Sequence, residues 1–415
     1  MNQLKSNRPE GVRQRLVDRL GAVGTVSVAQ LFGTSLWFSA NSAADDLMRA
    51  WHVSAADIGW LTSAVQLGFI LGTLVVSVTG VADRFRASSI FVCSALAGAV
   101  FNACFALFAG GIVGGAVFRF LVGVCLAGIY PIGMKLIVGW APDRTGPALA
   151  QLVAMLTLGT ALPHALRGAG ASLPWQEVII ATSVIAAAGA WLIYLLGDGP
   201  HLRSAARIEE GEARRSPSVL SAFRIPAFRS AAYGYFGHMW ELYAFWTVVP
   251  LFVAHASISS SVHVGGVSGL SFLVIGAGAL GCVVGGALST HFGSAKVAAA
   301  ALFLSGLCGA IFAAGWRELT PVMMLSLLIV WGAAVVGDSP QFSAISARSC
   351  PPELVGSALA IQNSIGFAIT VVSISGVTSL FERIGLDAAW LLLPGPILGL
   401  IGFGPMFRRQ DKRLD

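Results

Sequence analysis

The segment Gly128-Ile-Tyr-Pro131 recurs, with two substitutions, as Gly337-Asp-Ser-Pro340, 209 residues further along the chain. A second segment follows each of them: Pro142-Asp-Arg-Thr-Gly-Pro-Ala-Leu-Ala150 in the first copy and Pro352-Glu-Leu-Val-Gly-Ser-Ala-Leu-Ala360 in the second. The spacing between the copies is close to half of the 415 residues. We therefore predict that the chain is built from one structural unit that is used twice.

The composition indicates that this chain folds in a lipid bilayer. Hydrophobic residues make up 56% of the sequence and charged residues only 11%, whereas soluble domains carry roughly 25% charged residues. The mean hydropathy is +0.77. Apolar runs of about 20 residues, the length of a helix that crosses a bilayer, alternate with short polar clusters. We predict an all-α membrane protein.

Twelve apolar segments are predicted to cross the membrane, six in each half of the chain. We expect two pseudo-symmetric six-helix bundles, residues 1–197 and 229–415, joined by a charged cytoplasmic loop, 198–228. Two linked copies around a shared interface are typical of a carrier, with its solute site near the middle of the bilayer. The predicted spans are 22–45, 56–79, 88–109, 112–139, 145–168, 175–197, 229–254, 265–289, 295–315, 320–347, 354–381 and 386–406.

Lysine and arginine are unevenly distributed between the two ends of these spans. With the N-terminus inside, all but five of the 26 lie on the inner side; the five are Arg49, Arg167, Arg317 and Arg383 outside and Arg119 within a span. The positive-inside rule therefore predicts that both termini are cytoplasmic. Topology then accounts for the net charge of +6 without nucleic-acid binding. We expect the lipid of a bacterial inner membrane around this multi-pass protein, because the outer loops are short. We also expect a monomer.

A short motif lies between predicted spans two and three, Thr79-Gly-Val-Ala-Asp-Arg-Phe-Arg86, and a related segment, Gly286-Ala-Leu-Ser-Thr-His-Phe-Gly293, lies at the corresponding place of the second half. The first is similar to the signature Gly-x-Leu-Ala-Asp-Arg-x-Gly-Arg-Arg of the major facilitator superfamily of secondary transporters, although its second glycine is absent. Twelve spans and an internal repeat also resemble that family over essentially the whole chain. The resemblance implies transport of a small solute by alternating access.

The resemblance also implies a conformational latch at Asp83. A carboxylate near a helix end can accept hydrogen bonds from the N-terminus of a neighbouring helix, and Arg84 and Arg86 would hold this end at the cytoplasmic interface. In the family, such a latch stabilises the outward-facing state. The alternative interpretation is charge that serves topology alone. Because Thr290 replaces the acid in the second half, we expect any latch to be one-sided.

Arg119 begins the pattern Arg-x-x-x-Gly in span four, which the family also has. It lies about 10 Å inside the span, where an arginine that is neither paired nor hydrated costs at least ~2.5 kcal/mol. We predict that Arg119 binds the solute or tunes a proton site. Snorkelling to the outer interface and a structural ion pair are the alternatives.

Two acids lie within predicted spans. Glu241 is near the middle of span seven, in the polar and aromatic segment His238-Met-Trp-Glu-Leu-Tyr243, and Asp338 lies in the repeat itself. A carboxyl group at this depth favours its neutral form and can carry a proton. We favour Glu241 as the proton or solute group. For Asp338 the alternative is a structural role, in which it caps the backbone that Pro340 leaves unpaired.

The superfamily lines its cavity with spans one, four, seven and ten, and here these spans carry most of the polar and aromatic groups within the membrane. Arg119 favours an anionic solute, whereas Glu241 with its aromatic neighbours favours a cation. The predicted solute and proton residues, in addition to Arg119, Glu241 and Asp338, are Trp37, Asn41, Tyr130, His238, Trp240, Tyr243, Gln362 and Asn363.

The predicted function is secondary active transport of a small metabolite or an organic or inorganic anion, coupled to protons. The exporter pattern of the superfamily, Gly-x-x-x-Gly-Pro-x-x-Gly-Gly, is barely met by Leu158-Gly-Thr-Ala-Leu-Pro-His164 in span five. Proton-driven efflux of a drug-like or toxic compound and a non-transporting membrane sensor with a carrier fold are the alternatives. The sequence has no nucleophile–base pattern and its six cysteines have no metal-ligand spacing, so we predict neither an enzyme, a metal nor another cofactor.

Overall fold

The computed structural model describes residues 10–170, 173–202, 219–350 and 355–407. All regular structure in these ranges is helical. Nine stretches of the described chain are long and apolar enough to cross a membrane, and one of them, Ala358–Phe407, holds the last two spans. Two further long helical stretches, Glu10–Thr34, which is kinked at Gly21 (φ 67°), and Pro226–His255, are more polar. Together they form the twelve spans that the sequence predicts.

The spans are numbered one to twelve in chain order, and spans four and ten each consist of two segments. In the first half they are Glu10–Thr34, Ala55–Thr79, Ala87–Phe108, Ile112–Leu126 with Tyr130–Trp140, Thr145–Ala169 and Trp175–Leu196. In the second half they are Pro226–His255, Gly266–Phe292, Ser294–Gly315, Pro321–Gly337 with Ser339–Arg348, Val355–Ile384 and Pro394–Phe403. Short helices between the spans are Asn41–Ala43, Ala44–Trp51, Val81–Arg84, Pro142–Arg144, Val219–Arg224, Ile258–Ser261 and Gly385–Leu392.

Two sides of the bundle follow from this order. The side on which span one begins and span twelve ends is called the terminal side, and the opposite side is called the distal side. Odd-numbered spans run from the terminal to the distal side, and even-numbered spans return. The predicted loop 198–228 lies mostly outside the described residues, and its last part forms the short helix Val219–Arg224 before span seven.

Local signals in the sequence account for several span ends. Ser54 and Asp57 form a capping box at the start of span two: the Ser54 hydroxyl accepts from the Asp57 N–H, and the Asp57 carboxylate accepts from the Ser54 N–H. Gly80 ends this span with a φ of 64°, a left-handed conformation that glycine adopts without steric cost. In lipid, helices satisfy their own backbone groups, so such caps matter at the interfaces.

Span one departs from the predicted segment 22–45. Its helix ends at Thr34, residues 35–40 form turns, and the short helix Asn41–Ala43 follows. Span twelve begins at Pro394, later than the predicted 386, because the preceding residues form the 3-10 helix Gly385–Leu392. The other predicted spans match the observed helices to within a few residues.

The two halves are built alike at their most closely packed helix pairs. In the first half, Gly68 and Gly123 hold spans two and four together, since a Cβ atom on either glycine would meet a backbone carbonyl of the other helix. Gly281 and Gly332 have the same relationship in spans eight and ten. Gly123 and Gly332 are 209 residues apart, which is the spacing of the repeat. The duplication therefore extends to individual backbone contacts.

The halves meet along two helix pairs, span five with span eight and span two with span eleven. Ala150 faces Gly286 near the terminal side, and Gly168 faces Gly269 near the distal side, so the first pair packs along its length. In the second pair, Gly59 packs against Thr378 close to the distal side. Small residues at these places allow the backbones to approach closely.

Candidate functional site

The repeated Gly-x-x-Pro segment forms a break in a membrane span in each half. Span four stops at Leu126 and resumes at Tyr130, and span ten stops at Gly337 and resumes at Ser339. The proline opens the second segment in both cases, where its missing N–H is not needed. Paired interruptions at corresponding places of two repeats are a strong pointer to a binding site between them.

Span one has a third break, and Arg119 from span four holds it. One terminal nitrogen of Arg119 donates to the backbone carbonyls of Leu36 (2.9 Å) and Trp37, in the turns that follow Thr34. The other terminal nitrogen donates to Ser39 Oγ at 3.0 Å. The guanidinium is buried, and these acceptors offset the cost of its charge in the membrane.

Asn102 of span three extends this network to span six. Its Oδ1 accepts from Arg119 at 3.0 Å and from Ser39 Oγ at 2.7 Å. Its Nδ2 lies 3.0 Å from the Ile179 carbonyl and from Thr182 Oγ1. The polar groups of Arg119 are thus directed into the first half.

A central cavity of about 110 Å³ lies between the two halves. Most of the lining residues on spans four, seven and eleven lie in the terminal half of the membrane. The rest lie at the distal end of the cavity. Its wall is formed by Tyr130, Met134, Val153, Leu156, Tyr235, His238, Met239, Leu242, Tyr243, Trp246, Val336, Ser339, Ser343, Leu359, Asn363 and Phe367. These residues come from spans four, five, seven, ten and eleven, and therefore from both halves.

Aromatic rings close the distal end of this cavity. The Tyr243 ring lies 5.3 Å from Trp246 and 5.3 Å from Phe367, between centroids. Trp37, in the turns that follow span one, stacks on Phe367 at 5.8 Å, and Phe38 lies 5.9 Å from Trp246. We call these five residues the aromatic layer. The layer contains residues of both halves, so it spans the interface between them and separates the cavity from the distal side.

Span seven and span ten bring together two ionisable groups at the cavity. His238 Nδ1 lies 2.8 Å from Asp338 Oδ1, within ion-pair distance when the ring is protonated, although the two groups are not aligned as a hydrogen bond. Both side chains are at most 1% exposed. Asp338 is the residue at the break of span ten, and His238 lines the cavity. The break therefore places an acid directly behind the cavity wall.

Glu241 lies about one turn further along span seven. Trp331 of span ten donates its Nε1–H to Glu241 Oε1 at 2.7 Å, and the other carboxylate oxygen has no hydrogen-bond partner among the described residues. The Phe245 ring packs on Trp331 at 4.5 Å. Glu241 is fully buried and is not part of the cavity wall.

Comparison with known proteins agrees with this architecture. A family model of the Major Facilitator Superfamily matches residues 26–374. The chain belongs to this superfamily. It is thus a multi-pass membrane protein and a secondary transporter of a small-molecule solute, as the sequence predicts.

Among solved structures, the nucleoside transporter NupG, crystallised as a mutant, is similar to this facilitator with a TM-score of 0.67. The two share 12% sequence identity, and the similarity covers 92% of this chain and 98% of that chain. At this level of identity it concerns the fold alone. A comparison with curated protein sequences found no match.

The predicted site residues of the facilitator fall into three groups. Tyr130, His238, Tyr243 and Asn363 line the central cavity. Glu241, Asp338, Trp37 and Gln362 are buried beside it, and Trp37 donates to Gln66 Oε1 at 3.3 Å. The remaining three, Arg119, Asn41 and Trp240, lie away from the cavity wall. Arg119 and Asn41 form hydrogen bonds within the first half. Trp240 donates to the Leu391 carbonyl and borders a membrane-facing groove.

The predicted latch residues lie at the terminal end of span two. The side chain of Asp83 is outside the described part of the chain, and Arg84 is exposed. Arg86 donates to Asp198 Oδ2 at 3.0 Å, and Asp198 Oδ1 also accepts from the Ser88 N–H at 2.7 Å. Partial burial raises the pKa of Asp198, but the Ser88 N–H and the Arg86 guanidinium outweigh burial and hold that pKa below its usual range. Arg86 is therefore paired with the first residue of the connecting loop, next to the end of span six.

Several residues of the site were not among the sequence predictions. Trp246 and Tyr235 line the cavity, and Ser39 and Asn102 hold Arg119. Trp246 and Tyr235 lie on span seven at spacings that a helical wheel centred on Tyr243 could have identified. Ser39 and Asn102 carry no comparable signal, since their role depends on the break in span one.

Proposed function

We propose that this facilitator couples solute movement to proton movement, with the solute in the central cavity and the proton on buried acids of the second half. The observation that carries the proposal is the contact between His238 and Asp338 at the break of span ten. An aspartate at the centre of a membrane helix costs roughly 2.5–3.5 kcal/mol, and ionisable residues at this depth commonly mark ion pathways.

Protonation changes what this pair can do. With an imidazolium ring and an ionised Asp338, the two groups attract each other and are neutral together. When the ring proton passes to Asp338, both groups are neutral, the attraction is lost and an uncharged His238 can turn toward the solute. Solute binding is thereby linked to the proton on Asp338. Glu241, held by Trp331, supplies a second proton position one turn away on span seven.

Alternating access would involve the two halves, residues 1–197 and 229–415, with the loop 198–228 as their connection. The distribution of lysine and arginine supports placing the terminal side in the cytoplasm of a bacterial inner membrane, with a monomer as the transporting unit. The cavity then opens by separation of the halves on the cytoplasmic side. The contacts of span two with span eleven and the aromatic layer keep the outer side closed.

The test is transport in proteoliposomes with and without a pH gradient. The solute panel includes uncharged, anionic and cationic metabolites; nucleosides are included because NupG is a nucleoside transporter. Asp338→Asn and Glu241→Gln are compared with the parent, and Glu318→Gln serves as a matched control because Glu318 is exposed on the distal side. We expect the two buried variants to lose most gradient-driven accumulation while they still exchange solute at equal pH.

The outcomes separate the alternatives. Accumulation that does not depend on the pH gradient, or that survives both buried substitutions, would contradict proton coupling. The sign of the driving gradient distinguishes symport from proton-driven efflux. A protein that binds solute but neither accumulates nor exchanges it would favour the non-transporting sensor.

A further inference from the structure

The wall of the central cavity has fewer charged residues than a carrier of ions would need. The sixteen residues that form it include no arginine, lysine, aspartate or glutamate. Arg119, which favours an anionic solute when only the sequence is considered, donates to carbonyls and side chains of the first half and is not in this wall. Asp338 contacts His238, which lies between it and the cavity. Among the described residues that line the cavity, only a protonated His238 would offer a full charge to an ionic solute.

Three buried polar atoms of the wall have no hydrogen-bond partner in the part of the chain that the structure describes: Trp246 Nε1 and both ring nitrogens of His238. His238 Nδ1 lies beside Asp338 Oδ1, which leaves Trp246 Nε1 and His238 Nε2 for an occupant of the cavity. Trp246 is fully buried, and its indole N–H can only donate. Leaving such a group unpaired in the membrane costs about 1–3 kcal/mol, which an occupant with an acceptor atom removes.

The distal end of the cavity favours a flat occupant. Tyr243, Trp246 and Phe367 present rings to it, and Trp37 and Phe38 pack behind them in the aromatic layer. Aromatic pairs prefer offset or edge-to-face geometries with centroids about 4.5–7 Å apart. A planar ring can therefore contact this surface without displacing a side chain of the layer.

The size of the cavity limits the occupant further. Its volume is about 110 Å³, whereas an engineered protein cavity of about 150 Å³ accommodates benzene. A single ring is therefore already the upper limit in this conformation, and a substituted ring requires some separation of the halves on the terminal side. Polar substituents would meet Ser339, Ser343 and Asn363 on the terminal side of the cavity.

We propose that the central cavity binds an uncharged solute with a single planar ring and a hydrogen-bond acceptor on the ring edge. The ring contacts the aromatic layer, the acceptor receives the Trp246 indole N–H, and a second polar group faces His238 Nε2. This inference rests on the proposed function, because it assumes that the cavity is the solute site.

The test is equilibrium binding to the purified, full-length facilitator by titration calorimetry, with ligands that differ in charge but share a ring. One set is nicotinamide, nicotinate and 1-methylnicotinamide; a second is benzamide, benzoate and benzylamine. We expect the uncharged member of at least one set to bind more tightly than both charged members. Tighter binding of a charged member would overturn the assignment of charge. Failure of all six to bind would overturn the single-ring assignment.

A variant tests the hydrogen bond. Trp246→Phe keeps a ring in the layer but removes the N–H, and should weaken binding of the uncharged ligand by between about twofold and tenfold, the effect of one neutral hydrogen bond. Trp191→Phe is the control, because Trp191 is exposed on the membrane-facing surface and packs on Tyr194. Unfolding temperatures of both variants show whether they remain folded. A folded Trp246→Phe variant with parental affinity would contradict the proposal.

The two proposals fail in different ways. Binding of an uncharged ring compound without proton-driven transport would contradict the coupling mechanism and leave this inference intact. Proton-driven transport of an ion, with no binding of the uncharged compounds, would do the reverse.

Discussion

The carboxylate of Glu382 accepts a hydrogen bond from the backbone N–H of Ala56 at 2.6 Å, across the interface between the two halves. Ala56 lies in the first turn of span two, and Glu382 lies near the end of span eleven, both on the distal side. A negative charge is favourable at a helix N-terminus. Ser63 and Ser375 continue the contact between these helices at 3.3 Å. Glu382 thus fastens the halves on the side that the aromatic layer closes.

Glu382→Gln should shift the facilitator away from this conformation. The loss of charge at a helix N-terminus, about 0.3–1 kcal/mol, corresponds to a shift of about two- to fivefold in the ratio of conformers. Spin labels at Leu173 and Glu318, exposed distal positions in the two halves, report the change as a larger population of long distances. Arg383→Gln, at the neighbouring exposed position, should leave the distribution unchanged. Identical distributions for the parent and Glu382→Gln would show that Glu382 does not hold the halves together.

Arg119→Lys should destabilise the fold. Lysine is a point charge without the planar fork of arginine, so it cannot reach the carbonyls of Leu36 and Trp37 and the side chains of Ser39 and Asn102 together. The loss of two or more charged hydrogen bonds, about 1.5–3 kcal/mol each, should lower the unfolding temperature in detergent.

Arg229→Lys, at an exposed position, is the matched control for Arg119→Lys. The solute affinity of folded Arg119→Lys should be close to that of the parent, because Arg119 does not line the cavity. A large loss of affinity with parental stability would support the sequence-based prediction that Arg119 contacts the solute.

Gly123→Ala should impair the packing of spans two and four. The added methyl group would meet the Val65 carbonyl, and backbone cannot move aside as a flexible side chain can. Overpacking typically costs about 1–3 kcal/mol, measurable as a lower unfolding temperature and yield. Gly146→Ala is the control, since no atom lies within 4 Å of a Cβ at Gly146. If Gly123→Ala and Gly146→Ala were equally stable, spans two and four would be able to move apart without a measurable loss of stability.

Asp198→Asn should reduce stability in a pH-dependent way. The Ser88 N–H and the Arg86 guanidinium outweigh burial and depress the pKa of Asp198 in the folded state, so the ionised carboxylate stabilises the fold at neutral pH. This contribution is present above the ordinary aspartate value of 3.8 and is lost as pH falls through the folded-state pKa. The difference in unfolding temperature between parent and variant should therefore be largest near neutrality and disappear in acid.

Asp143→Asn, at an exposed position on the terminal side, is the control for this pH series. It should follow the parent at every pH. A difference for Asp198→Asn that grows on acidification would mean that the ionised carboxylate does not stabilise the fold.

The fold could be predicted from the sequence because its signals are redundant. Each span repeats the same apolar signal, and the Gly-x-x-Pro segments mark equivalent places 209 residues apart. The break in span one was not foreseen, since residues 35–40 contain neither glycine nor proline. The turns there are held by Arg119, a contact between spans that no local pattern encodes.

The site could be predicted only in part, for a geometric reason. The sequence indicates that Glu241 and Asp338 lie within the membrane, but not that Asp338 contacts His238 or that Glu241 accepts from Trp331. The sequence also does not show whether Trp240 or Trp246 borders the cavity. Six residues apart at about 100° per residue, the two lie on different faces of span seven. Only the placement of the other spans decides which of them borders the cavity.

The broken end of span one bears on the choice of coupling ion. Unwound backbone carbonyls in membrane carriers can coordinate a sodium ion. Here the carbonyls of Leu36 and Trp37 are already bound to the guanidinium of Arg119. An alkali metal ion could bind these carbonyls only by displacing the guanidinium of Arg119, which is part of the chain itself. In the first half, a fixed cationic side chain therefore occupies the carbonyls that could otherwise coordinate a metal ion.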